Sequence, residues 1–141
     1  MIVSTKGRYV LRVMIDLAEH ADRGYIPMKE VAERQKISLK YLEKILPSLK
    51  KNDFITGIHG KGGGYKLTRK PEEYRIGDIL RVAEGNLAPV ACLKCDETEC
   101  ELVSVCRTRP MWEELDQIIK DYFDGITLAD LMADEKDKMP E

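Results

Sequence analysis

Four cysteines, Cys92, Cys95, Cys100 and Cys106, fall within 15 residues, separated by two, four and five positions. Thiolates gathered this closely can converge on one soft inorganic centre, either Zn(II) or an iron–sulfur cluster. The N-terminal stretch Met1–Lys6 lacks the apolar core of a secretion signal, so a cytoplasmic chain is expected. In a reducing compartment permanent disulfides are disfavoured, and metal binding or redox chemistry leads. A structural zinc site usually shows two short Cys-x2-Cys knuckles, and only Cys92–Cys95 makes one here. Spacing alone leaves zinc and iron–sulfur chemistry both open.

A second chemistry lies in the charges. Residues 1–81 carry 17 Lys and Arg against 10 Asp and Glu, whereas residues 82–141 carry 6 against 15, within a net charge of −2. A basic front half suits a polyanion, which the acidic rear half would repel. Candidate contacts cluster in two places. Ser38, Lys40, Tyr41, Glu43 and Lys44 occupy the exposed face of one expected helix. His59, Gly60, Lys61, Gly62 and Lys66, followed by Arg69, surround a glycine-rich tip. Ser, Lys and Tyr can bind phosphates, and Glu43 can accept from a cytosine amino group.

The elements that must position these groups are legible in the apolar periodicity. Tyr9, Val10, Val13, Met14, Leu17 and Ala18 predict a helix over 5–22, with Ser4 or Thr5 as its N-cap. A short helix near 28–35, a break at 36–38 and a helix from Leu39, capped by Ser38, follow. Pro47 either kinks that helix or opens another at its first position. Val31, Ala32, Ile37, Leu42, Ile45 and Leu46 form the expected core between the two helices. Residues 54–58 and 64–68 read as a hairpin around the tip. A helix over 76–84 ends at Gly85. Residues 86–106 lack sustained periodicity. A longer helix over 110–123 carries Met111, Trp112, Leu115, Ile118, Ile119, Tyr122 and Phe123 on one side, and Thr127 caps a last turn. Helix, tight break, helix and basic hairpin make a winged helix-turn-helix, a mainly α fold with a small β-hairpin wing, suited to double-stranded DNA.

Four blocks then become recognisable: Ser4–Tyr9, Ile37–Glu43, Gly62–Tyr65 and Ile126–Leu131. In this order they resemble the Rrf2 family of winged-helix transcription regulators, over Met1 to about Leu131, and most nearly its iron–sulfur cluster regulators. The resemblance implies a homodimer joined through a long helix and binding a near-palindromic operator. It implies that Tyr41, Glu43 and the wing read DNA, and it brings Ser4, Lys6, Arg8 and Tyr9 in as further DNA contacts. It also implies that Cys92, Cys100 and Cys106 hold a cluster of the 2Fe–2S type. Two departures stand out. His59 replaces a wing arginine, and a mostly neutral imidazole makes weaker minor-groove contacts at pH 7. Arg109, which cannot ligate, occupies the position of the family's histidine ligand. Cys95 is the natural substitute, with Glu99 or a residue of a partner chain as alternatives.

The expected organisation is a DNA-binding domain over 1–85, a cluster-binding loop over 86–106, and a dimerisation helix with tail over 107–141. Trp112, Leu115, Ile118, Ile119, Tyr122 and Phe123 are the expected pairing surface. The expected function is a cluster-dependent regulator, acting as a repressor, that senses cluster, iron or redox status. Alternatives are a nitric-oxide sensor on the same scaffold, a cluster-free regulator of cysteine metabolism, and a zinc-stabilised DNA-binding protein. An enzyme is not expected, since no nucleotide motif or acid/base pair is visible. Nor is a membrane partner, since no apolar run approaches the roughly 18–20 residues a bilayer demands.

Overall fold

Apolar residues at helical spacing build the front of the chain in the computed structural model, which describes residues 3–93 and 104–132. Helix α1, Thr5–Glu19, buries Val10, Val13, Met14, Leu17 and Ala18. It stops short of the expected residue 22. His20 leaves helical geometry (φ −116°, ψ 18°) while its N–H still bonds to the Asp16 carbonyl, and a single 3₁₀ turn at Ala21–Arg23 follows.

Helix α2, Met28–Gln35, ends at Lys36 in the left-handed conformation (φ 57°). That reversal frees Ser38 to cap α3, Leu39–Lys51, its Oγ accepting from the Tyr41 N–H at 3.1 Å. Between the two readings of Pro47, the structure shows one helix running through it. Leu42, Ile45, Leu46 and Leu49 are all buried at i, i+3, i+4, i+7. Burying Leu46 and Leu49 is worth roughly 1.5–3 kcal/mol each, against about 3 kcal/mol for an interior proline. The apolar face wins.

The wing is the antiparallel pair β1 (Ile55–Ile58) and β2 (Gly64–Leu67), in register Ile55↔Leu67 to Ile58↔Gly64. A third segment joins it: Ile26 and Tyr65 exchange backbone hydrogen bonds of 2.8 and 2.9 Å. This pairing requires glycine at 64, because a Cβ there would meet the Ile26 carbonyl. The glycine run thus serves packing as well as the tip. Tyr74 ties down the root of the wing. Its buried hydroxyl donates to the Phe54 carbonyl at 2.7 Å and accepts from the Thr68 and Arg69 N–H groups at 3.0 and 3.2 Å.

Helix α4, Ile76–Glu84, packs on α1; α5, Arg109–Asp124, packs on α4. Thr127 caps the one-turn α6, Leu128–Leu131, in a reciprocal box with Asp130 (3.2 and 2.9 Å). The chain then re-enters the head: Ile76 N–H bonds to the Ile126 carbonyl and Leu128 N–H to the Tyr74 carbonyl, both at 2.9 Å. Leu128 is fully buried in the same core as Val13, Leu42 and Ile79.

Among the described residues, one acid lies inside. Asp16 on α1 is 1% exposed and takes both prongs of Arg34 from α2, at 2.7 and 3.0 Å, plus Gln35 Nε2 at 2.9 Å. The hydrogen bonds that Arg34 donates to Asp16 raise its pKa above the ordinary value, against burial. Arg12 donates to the side-chain and backbone oxygens of Gln35. These polar bonds fix α2 against α1.

Candidate nucleic-acid interface and metal centre

The cap on Ser38 sets the first turn of α3, leaving Ser38, Lys40, Glu43 and Lys44 exposed while Leu42 and Ile45 face the core. Tyr41 is half-buried, its ring edge-on to Tyr9 of α1 with centroids 5.4 Å apart. Arg12 lies over the Tyr9 ring at 5.2 Å. The start of α1 and the start of α3 are therefore neighbours, and the N-terminal candidates join those of the reading helix. Arg8 is exposed and touches Thr5 Oγ1 at 3.3 Å; Lys6 is half-buried.

At the wing, His59, Gly60, Lys61 and Gly62 are exposed, and Gly63 N–H closes the tip on the Gly60 carbonyl at 2.9 Å. Lys66 stands apart from that tip, its Nζ 4.7 Å from the centre of the Tyr25 ring. Arg69 lies over Phe54 and Tyr74 at the wing root.

Among the described residues, Arg8, Lys40, Lys44 and Lys61 have no carboxylate within ion-pair distance. Behind them, Arg81 pairs with Asp78 and Asp124, Arg109 with Glu113, and Lys120 with Asp116. Uncompensated cations on the reading elements are what a phosphate backbone recruits.

Sequence reasoning missed Glu84. From the last turn of α4 its Oε1 accepts from the Ser4 N–H (2.9 Å), the Ser4 hydroxyl (2.6 Å) and the Gly7 N–H (3.0 Å). Ser4 occupies the N-cap position of α1 but does not cap with its own side chain. The cap comes from 80 residues away, and no local signal announces it. A Cβ at Gly7 would collide with that carboxylate. Burial raises the Glu84 pKa, but the bonds from Ser4 and Gly7 and the nearby Lys6 charge outweigh it, and the net shift is downward. A depressed carboxyl contributes stability above its unfolded value, near 4.3, and loses it as pH falls through the lower folded value. Glu84→Gln keeps an accepting oxygen but loses the charge, and should therefore cost about 0.3–1 kcal/mol at pH 7, the worth of a carboxylate at a helix N-terminus. The gap to the parent protein should close below about pH 4; urea titrations at several pH values check both.

Two of the four cysteines fall within the described residues. Cys92 sits half-buried in a 3₁₀ turn at Ala91–Leu93, eight residues beyond Glu84. Cys106 is half-buried three residues before α5, its Sγ 3.4 Å from Thr108 Oγ1. That hydroxyl, the Thr108 and Arg109 N–H groups and the Arg109 charge lower its thiol pKa, favouring the thiolate that ligates soft metals. Cys95 and Cys100 lie outside the described residues. Among those described, no three His, Cys, Asp or Glu side chains form a metal-binding group. Arg109 is engaged by Glu113 at 2.8 Å. The described half of the donor set, two free thiols with one biased toward thiolate, fits a thiolate-held centre.

The six expected pairing residues divide between two faces of α5. Ile119 and Phe123 pack against the head core, and Trp112 is half-buried. Leu115, Ile118 (58% exposed) and Tyr122 (65%) are exposed, and Met111 joins them. Residues 111, 115, 118 and 122 are spaced four, three and four apart, the spacing of a coiled-coil seam.

Comparison with known proteins agrees with this picture. The Rrf2 family model, described as an iron-dependent transcriptional regulator, matches residues 3–134. The HTH-type transcriptional regulator IscR of Aliivibrio salmonicida is 36% identical over 137 residues, covering 96% of this chain and 80% of that protein. The solved structure of T. potens IscR superposes with a TM-score of 0.76 at 35% identity, covering 100% of this chain and 94% of the other. CymR, the global cysteine regulator of B. subtilis, also superposes at 0.76, with 34% identity over 93% of this chain and 95% of its own. No helix among the described residues is long and apolar enough to cross a membrane. A winged head with unpaired cations on its reading elements, matched nearly end to end by such relatives, places the chain in the Rrf2 family of DNA-binding transcription regulators.

Proposed function

We propose that this chain is an operator-binding homodimer whose affinity for DNA is set by an iron–sulfur cluster. Cys92, Cys100 and Cys106 hold the cluster, and Cys95 supplies the fourth thiolate. A 2Fe–2S centre is the reading favoured by the three-cysteine pattern, with zinc as the competing occupant. The observation that carries the proposal is one of placement. The cysteine segment opens directly into α5, whose outward face bears the apolar seam. Whatever orders that segment therefore bears on how two heads are spaced across successive major grooves. When bound, the cluster supplies a redox-active and iron-dependent centre. The chain's own residues do the rest. Cys106 offers a thiolate at the start of α5, Arg81 holds the other end of α5 to α4, and α4 holds the start of α1 through Glu84.

Protein purified without oxygen should be brown and contain near-stoichiometric iron and sulfide. Cys92→Ala, Cys100→Ala or Cys106→Ala should abolish the colour, and Cys95→Ala should destabilise or alter the visible spectrum. A colourless protein holding one zinc per chain would defeat the cluster reading. The likeness to CymR supports a cluster-free cysteine regulator as the second reading. That reading predicts operator binding unchanged by the four substitutions.

A further inference from the structure

Among the described residues ahead of the cysteine segment, two large apolar side chains are exposed: Leu39, at 40%, and Ile58, at 46%. Leu39 is the first residue of α3 and Ile58 the last of β1. An isolated surface leucine ordinarily needs no explanation. Here both stand on the elements that read DNA, while the large apolar residues around them point into the core.

The surroundings of Leu39 narrow what it meets. Ser38 caps the turn and fixes its orientation, and Lys40, Glu43 and Lys44 are exposed beside it. Glu43 follows by four residues, so the two side chains share a helix face one turn apart. In the major groove the apolar feature of a base edge is the 5-methyl group of thymine. We propose that Leu39 is a specificity-determining residue that packs on a thymine methyl in each half-site. The inference rests on the assignment of α3 as the reading helix. It goes further by naming a base. Four residues advance the helix by about 6 Å, and stacked bases are about 3.4 Å apart. The thymine therefore lies about one or two base pairs from the cytosine whose amino group Glu43 accepts.

The full-length protein is used to select duplexes from a random-sequence library. Each thymine of the selected site is then replaced by deoxyuridine, which removes the 5-methyl group alone. At one thymine per half-site the parent protein should bind about fourfold more weakly, the worth of one buried methyl-sized group. Leu39→Ala should bind the original duplex more weakly and lose all further sensitivity at that position. Equal affinity of the parent protein for every deoxyuridine duplex would overturn the proposal, as would a Leu39→Ala variant that keeps the sensitivity. Failure to enrich any duplex would instead overturn the reading role of α3, and this inference with it. Leu39 is exposed, and the deoxyuridine series needs no variant, so a folding defect cannot imitate either result.

Discussion

Ile118→Glu should convert the protein to a monomer and weaken operator binding by about 100-fold or more, the range lost when two linked binding events become one. Ile118 lies at the middle of the 111–115–118–122 stripe and is 58% exposed in the single chain, so the head folds without it. A seam of this spacing puts the same residue of both copies close together. The substitution would bring two carboxylates face to face where two apolar side chains should meet. Sedimentation measures the mass, and titration of a selected duplex measures the affinity. A surviving dimer with unaltered operator affinity would show that α5 is not the pairing surface. The same substitution at Ile119, which packs on the head, should instead lower stability.

Asp16→Ala should produce the largest loss of stability of any single polar substitution in the head, about 3 kcal/mol, the lower end for breaking a buried ion pair. The carboxylate is 1% exposed and receives Arg34 in bidentate fashion, together with Gln35. Removing it takes both of these bonds from a guanidinium that is only partly able to reach water and keeps Glu30, at 3.2 Å, as its remaining partner. Gln35 also loses one of the bonds that hold the end of α2, where Arg12 grips it as well. Denaturant unfolding should show a lower midpoint with an unchanged slope. A loss below about 1 kcal/mol would mean that water replaces the carboxylate.

Much of this architecture was readable along the chain, because periodicity and punctuation are local. Residues 28–35 and 76–84 were placed as helices by apolar spacing and ended by Lys36 and Gly85, and Ser38 and Thr127 announced caps that both form. What could not be read depends on partners far away in sequence. Ser4 reads as a cap and is itself held by Glu84, and Asp16, which no local signal singles out, is buried against α2. Ile26 gave no strand signal because its single bridge to Tyr65 is decided by the wing folding back. The apolar side of residues 110–123 was visible as a whole, but its division into head-packing and outward residues depends on where α4 lies. Of the cysteines, spacing points to a soft inorganic centre without choosing between zinc and an iron–sulfur cluster, and Cys95 and Cys100 fall outside the described residues.

Among the described residues, the contacts that hold α5 to the head gather at one end. Ile119, Phe123 and the Arg81–Asp124 clamp (2.8 and 2.9 Å) all engage its last six residues. The helix is therefore a lever with its fulcrum at one end, about 24 Å long for 16 residues. A tilt of about 5° at the clamp carries the Met111 end through about 2 Å. That is about half the step between neighbouring bases, so in the proposed dimer a slight tug at the cysteine end would throw two heads out of phase with the double helix.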